Sequence, residues 1–367
     1  MSKNDKTFES IADLSSHLIA EVFGDQQKDV VAVYAFNATG KTRLARTFED
    51  SQQNTDIDPE YVESIVYGAD FEDMFHWNNE TRTLNFGVES SWILRLIRDE
   101  GLENRIADKF KTFFYTHAEP IFNFEDGTVN FTLATGDENH VEHIKISKGE
   151  ESLLIWSIFL TLLDAVYDTL DQDPDNRSTD VFNNLKYIVV DDPVSSIDDA
   201  KIVSVGSDLT GMAKKLKTKE VKVLITTHHA LFYSVVVNTL RGNKYFRSYH
   251  LSRNLDGDLS LGMQGDSTFA YHLHAKSLIR KAIDDNEVER YHFNIFRALL
   301  EKTANFLGYS DWTQCLDSDY RNYIVRLLHT YSHSRLSDIE PRALASEDVQ
   351  VFGEAFKRFV AVYKWSP

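Results

Sequence analysis

Asp191 and Asp192 stand side by side at the end of the apolar run Tyr187-Ile188-Val189-Val190, and Asp198 follows after Pro193-Val194-Ser195-Ser196-Ile197. A buried strand has no use for paired acids at its exit unless a metal ion or an activated water sits there. Two further segments flank them in a suggestive order. Ala35 to Thr42 reads AFNATGKT about 150 residues upstream, and Ile225 to His228 reads ITTH about 30 residues downstream. Acids before a proline also mark ordinary strand-end turns. The company of Lys41 and Thr42 favours nucleotide hydrolysis instead.

These groups need a strand–loop–helix to hold them. Val30 to Tyr34 is β-branched and aromatic, and Arg43 to Glu49 favours helix, so the loop between them has the setting of a phosphate-binding loop. Backbone N–H groups of Thr39, Gly40, Lys41 and Thr42 would face phosphates at the helix N-terminus. Asn37, Ala38 and Arg43 flank them and are counted with the nucleotide site. Lys41 would neutralise the β- and γ-phosphates, while the Thr42 hydroxyl and, through water, Asp191 would hold Mg²⁺. Asp192 would polarise the attacking water, and His228, at the carboxyl end of the strand Val221–Ile225, would sense the γ-phosphate. The loop carries Ala35 and Ala38 where glycine is usual, which is tolerable where φ is negative. A second anion site opens the apolar helix Leu153–Tyr167: Ser147, Lys148, Gly149 and Glu150, in the string ISKGE.

The order phosphate loop, ISKGE, VVDDP, SSID, TTH resembles the ABC-type ATPase head, in the branch shared with DNA-repair and SMC-like ATPases. That resemblance implies that ISKGE reaches the nucleotide of a second copy in a head-to-tail homodimer, and it brings Asp198 into the nucleotide site. About 100 residues separate Thr42 from Ser147. They show no heptads and are too few for a long coiled-coil arm.

Composition narrows the field further. The 367 residues suit two domains, and one cysteine, Cys315, rules out a disulfide framework or a CxxC zinc site and fits a reducing cytoplasm. No apolar segment follows Met1-Ser2-Lys3, so no signal peptide is expected. Leu153–Leu163, the most apolar run, is too short to cross a bilayer and is expected to be a buried helix, with no membrane partner. A net charge of −18 argues against non-specific coating of nucleic acid. From Asp266 onward there are 13 Lys+Arg against 14 Asp+Glu, leaving 26 against 43 upstream. The chemistry of the chain changes there, giving expected domains 1–265 and 266–367.

The second part is helical by pattern, over Leu273–Asp284, Glu287–Leu307, Asp319–Leu328 and Glu347–Tyr363. Arg297 and Glu301 stand four apart on one helix face, the spacing of an ordinary surface ion pair. His333 follows Arg326 by about two turns and could simply end a helix. Arg, Glu and His are also what a metal-free ribonuclease needs: a base for the 2′-OH proton, an acid for the leaving 5′-oxygen, and a guanidinium for the phosphorane.

The strings YAFNATGKTRL, KISKGEES, IVVDDPVSSID, FAYHLHAKS, NEVERYHF, EKTANFLGY and SHS, spread from about Val31 to Leu336, resemble the PrrC-type anticodon nucleases. The resemblance implies an α/β fold, an ABC-type P-loop ATPase head followed by a mainly α-helical, HEPN-like nuclease domain. It implies a nuclease that cuts lysine tRNA beside the wobble base, leaving 2′,3′-cyclic phosphate and 5′-OH ends. Arg297, Glu301 and His333 fall on the family's catalytic residues, with no metal at that site. The implied partners are tRNA and a type I restriction–modification complex that holds the enzyme silent. ATP or GTP with Mg²⁺, and dTTP, are the nucleotides tied to switching. The chain departs from the family at Ala38, where glycine is expected, and at His229, where serine is. Two other readings stay open: an SMC- or RecF-like DNA-repair ATPase whose C-terminus binds DNA or a partner, and an ATPase that serves a separate nuclease.

Overall fold

Val30–Ala35, Tyr187–Asp191 and Lys222–Thr227 are apolar along most of their length, the pattern of strands covered on both faces. They are adjacent parallel strands in the computed structural model, which describes residues 6–50, 61–87, 91–113, 118–134, 140–141, 144–194, 197–253, 257–263, 271–317, 321–332 and 344–363. The chain divides into two units, Met1–Thr268 and Phe269–Pro367.

The strands of the first unit are β1 (Lys6–Phe8), β2 (Val30–Ala35), β3 (Ser64–Tyr67), β4 (Phe75–Asn78), β5 (Thr83–Phe86), β6 (Ala118–Asn123), β7 (Thr128–Ala134), β8 (His140–Val141), β9 (Tyr187–Asp191), β10 (Lys222–Thr227), β11 (Phe246–Arg253) and β12 (Leu259–Met263). Its helices are α1 (Ile11–His17), α2 (Lys41–Asp50), α3 (Ala69–Glu72), α4 (Trp92–Asp99), α5 (Glu103–Phe113), α6 (Lys148–Asp171), α7 (Asp199–Lys217) and α8 (Ala230–Leu240). Seven strands form one sheet in the order β1-β12-β11-β2-β10-β9-β3. Its five strands from β11 to β3 run parallel, and β12 and β1 close the edge antiparallel. A separate antiparallel sheet, β4-β5-β7-β6 with β8 on β7, lies between α2 and α6 in sequence.

The core of the parallel sheet joins Val31 and Val33 of β2, Val189 of β9 and Leu224 of β10 to Leu44 and Phe48 of α2. Helix α6 is 24 residues long and longer than the apolar run alone suggests. It has the length and composition to cross a membrane, yet 78% of its most apolar stretch is buried inside the unit. Trp156 and Phe159 meet Tyr67 at ring separations of 5.2 and 5.0 Å. It is the core helix of this unit.

The second unit is built of α9 (Tyr271–Asp284), α10 (Arg290–Leu307), α11 (Arg321–Ser332) and α12 (Ser346–Val362), with a 3₁₀ turn at Trp312–Cys315. Phe293 and Phe296 of α10 pack on Phe352, Phe356 and Phe359 of α12. Burying each such ring contributes about 1.5–3 kcal/mol. Helix α10 begins three residues later than the expected Glu287, because Glu289 and His292 close a capping box across its first turn. It ends at Gly308, whose φ of 73° is the left-handed cap that glycine supplies without strain.

Candidate functional site

Strands β2, β9 and β10 end together, and in open parallel sheets ligands bind beyond the carboxyl ends. The loop after β2 turns into α2 through two left-handed residues, Ala38 (φ 64°) and Gly40 (φ 115°). The condition under which alanine is tolerated, a negative φ, is not met at Ala38, and an alanine in this region costs about 1–2 kcal/mol relative to glycine. Gly40 has a second constraint: a Cβ there would lie 2.8 Å from Ile11 Cδ1. Lys41 is buried, and its Nζ reaches Ala35 O at 3.2 Å, Phe36 O at 3.3 Å and Asn37 Oδ1 at 3.4 Å. Thr39 is also buried, and its N–H donates to Phe36 O at 3.4 Å.

The two acids face this loop with different partners. Asp191 accepts from Thr42 Oγ1 at 2.7 Å on one oxygen and from Thr226 Oγ1 at 2.5 Å on the other. Burial pushes its carboxyl above the usual range, the two hydroxyl bonds opposing this. Asp192 Oδ2 lies 3.3 Å from Lys41 Nζ. Its Oδ1 accepts from the His228 backbone N–H at 2.8 Å and stands 2.8 Å from His228 Nδ1, an ion pair only when that ring is protonated. Burial pushes the Asp192 carboxyl up, but the His228 bonds and the Lys41 charge outweigh it and hold the group below its ordinary value. Asp192 therefore stays an anion beside the loop, in a left-handed backbone (φ 49°) of the kind that stores strain at working sites.

The donor set fits Mg²⁺. A hydroxyl and a carboxylate, both hard oxygens, stand together at the phosphate loop, and Mg²⁺ takes one or two such protein ligands beside phosphates and water. Thr42 and Asp191 would hold it, and the bound ion would draw charge from the phosphates.

Helix α6 starts as a closed capping box: Ser147 Oγ accepts from Glu150 N at 3.2 Å and Glu150 Oε2 accepts from Ser147 N at 2.6 Å. Ser147 and Lys148 are exposed, Gly149 partly so, and Lys148 pairs with Glu151 at 2.9 Å. Asp198 is the exposed N-cap of α7 and makes no side-chain cap bond. Arg43 and Asp198 share no hydrogen bond with the Lys41–Asp192 cluster among the described residues.

In the second unit, Arg297 Nε donates to Glu301 Oε1 at 2.9 Å along α10. The Arg297 guanidinium lies over the Trp312 ring, 5.6 Å from its centroid, and the His329 ring meets the same indole at 5.9 Å, edge-on. His333 lies outside the described residues.

Residues 99–361 match the family described as AAA domain, a span covering ISKGE, the paired acids and most of the helical unit but not the phosphate loop. Over 333 residues the chain is 39% identical to an anticodon nuclease of Escherichia coli, covering 84% of this chain and 83% of that protein. The chain belongs to the anticodon nuclease family. It is an enzyme of that family with an α/β P-loop ATPase head. The solved structures that match resemble this chain only distantly. An Smc head bound to the C-terminal winged-helix domain of ScpA matches at 13% identity and a TM-score of 0.31, over 47% of this chain and 45% of that one. The SMC head domain of Thermotoga maritima gives 12% and 0.29, over 64% and 90%. Likenesses this slight carry no argument about function.

Within this chain, the head gathers Asn37, Lys41, Thr42, Asp191, Asp192 and His228 around one point, and the helical unit pairs Arg297 with Glu301. Thr226 stands in the ITTH string but was not counted with the site; the parallel pairing of β10 with β9 sets it opposite Asp191. Glu72 was also missed. It accepts from the buried Tyr67 hydroxyl at 2.8 Å, its carboxyl is raised by burial, and it feels the charge of Asp191. Trp312 and His329 carried no motif and became visible only through packing.

Proposed function

We propose that this member of the family is a nucleotide-gated, metal-independent endoribonuclease that cuts the anticodon loop of a tRNA, lysine tRNA beside its wobble base. The observation that carries the reading is the Arg297–Glu301 pair. The pair is partly buried, with Arg297 Nε on Glu301 Oε1 at 2.9 Å, which fixes both groups at one place on α10. Held together, the guanidinium stabilises a phosphorane while a carboxylate and the imidazole of His333 move protons. The nucleophile is the RNA's own 2′-OH, so the products are a 2′,3′-cyclic phosphate and a 5′-OH, and DNA is refused.

In the head, Lys41 with the loop binds the phosphates of ATP or GTP, Asp192 polarises the attacking water, and His228 positions the Asp192 carboxylate and meets the γ-phosphate. Arg43 and Asp198 border that nucleotide. The exposed start of α6, Ser147 to Glu150, meets the nucleotide of a second copy, which makes the active form a head-to-tail homodimer. Family resemblance supports the remaining parts of the reading: silencing by a type I restriction–modification complex, dTTP as a switching ligand, a HEPN-like nuclease fold beginning near residue 266, and work in the cytoplasm.

A synthetic anticodon stem-loop tests the chemistry. The all-ribose RNA should be cut once in the loop, and the same RNA with one 2′-deoxyribose at the cut should be inert. Cleavage of the deoxy substrate at that position would refute the 2′-OH mechanism.

A further inference from the structure

The helical unit carries an arrangement that the proton-transfer chemistry does not use. Trp312 opens a 3₁₀ turn fixed at both ends. Asp311 Oδ1 accepts from Thr313 N at 2.7 Å, and the buried Cys315 Sγ lies 3.7 Å from Leu300 O of α10. The turn thereby seats a half-buried indole against α10, with Arg297 over its ring and the exposed His329 of α11 against its edge at 62°. Guanidinium, indole and imidazole from three separate elements share one face.

We propose that Trp312 and His329 form the substrate-contacting wall of this face, against which an unpaired RNA base next to the cut phosphate stacks while Arg297 meets the phosphate. This rests on the nuclease reading above. Single-stranded RNA loops are recognised by splaying bases onto aromatic side chains and guanidinium planes, and each π-face does this without regard to which base it is. Trp312 is only half-buried and lies beside two polar groups able to reach phosphate and base edges.

The test is a cycle between protein and RNA, run on the full chain with nucleotide present. The substrates are the anticodon stem-loop and two copies of it, each abasic at one nucleotide flanking the cut. For wild type, one abasic copy should be cut roughly tenfold to a hundredfold less efficiently, through KM, the range expected for one stacked base. Trp312→Ala should lose as much on intact RNA and lose nothing further on that abasic copy. Trp312→Phe should recover most of the loss, and His329→Ala should show a smaller loss that also vanishes on the abasic copy. Equal losses for Trp312→Ala on intact and abasic RNA would mean that the indole only props Arg297, and the inference would fall. Wild type indifferent to both abasic copies would overturn it without any variant needing to fold. Wild type that cuts no stem-loop at all overturns the nuclease reading, and this inference with it.

Discussion

Lys41 is surrounded by loop carbonyls and Asp192, so its charge is held where phosphates would take over the same contacts. Lys41→Ala should therefore lower nucleotide affinity, read by fluorescent-nucleotide titration, and leave tRNA cutting deregulated or uninducible; equal affinity in both proteins would contradict the role. Asp192→Asn should keep nucleotide bound but slow its hydrolysis, because the amide cannot accept the water's proton; an unchanged turnover would remove Asp192 from that step. Ala38 offers a reading of strain. Ala38→Gly should raise stability by about 1 kcal/mol in a denaturant titration, since glycine adopts φ 64° freely. At this scale the site was legible because Lys41, Thr42, Asp191 and Asp192 are chemically unusual for their positions. The φ of Ala38 was not legible, because residue type records a preference and the surrounding loop decides the angle.

Strands and helices were legible where apolar pattern sets them. β2, β9 and β10 have no polar face to mistake, and α6 is too apolar to lie on a surface. Helix ends were less so, because side-chain caps move them. At the start of α10, the buried His292 Nδ1 accepts from Glu289 N at 2.9 Å, and burial pushes this imidazole down to about 4. Only the neutral ring can accept that bond. Because the folded pKa lies below the free value of 6.5, the stabilisation is full above pH 6.5 and is lost as pH falls towards 4. The loss is about 3 kcal/mol at most. His292→Gln keeps an acceptor in the capping position and removes the titration, so its unfolding free energy should fall less between those pH values than that of wild type. Parallel acid profiles would show that His292 does not set the stability of this helix.

For the whole molecule, the proposed division of labour has the head bind and hydrolyse nucleotide and the helical unit cut RNA. The charge follows this division, since nearly all of the −18 lies before residue 266 and the helical part is close to neutral. A bulky group in the first turn of α6 should block the second copy, so Gly149→Trp should abolish a nucleotide-dependent rise in mass seen by light scattering. The partner and the tRNA identity were legible only through resemblance, because neither leaves a local pattern in one chain. The most direct test is to sequence RNA ends, with capture of 2′,3′-cyclic phosphates, from cells expressing the wild type or the Arg297→Ala, Glu301→Gln and His333→Ala proteins. One new cut is expected inside an anticodon loop, bearing a cyclic phosphate and a 5′-OH, in wild type only, while the purified variants still hydrolyse nucleotide. Cuts outside anticodon loops, or the same cut made by the variants, would contradict it.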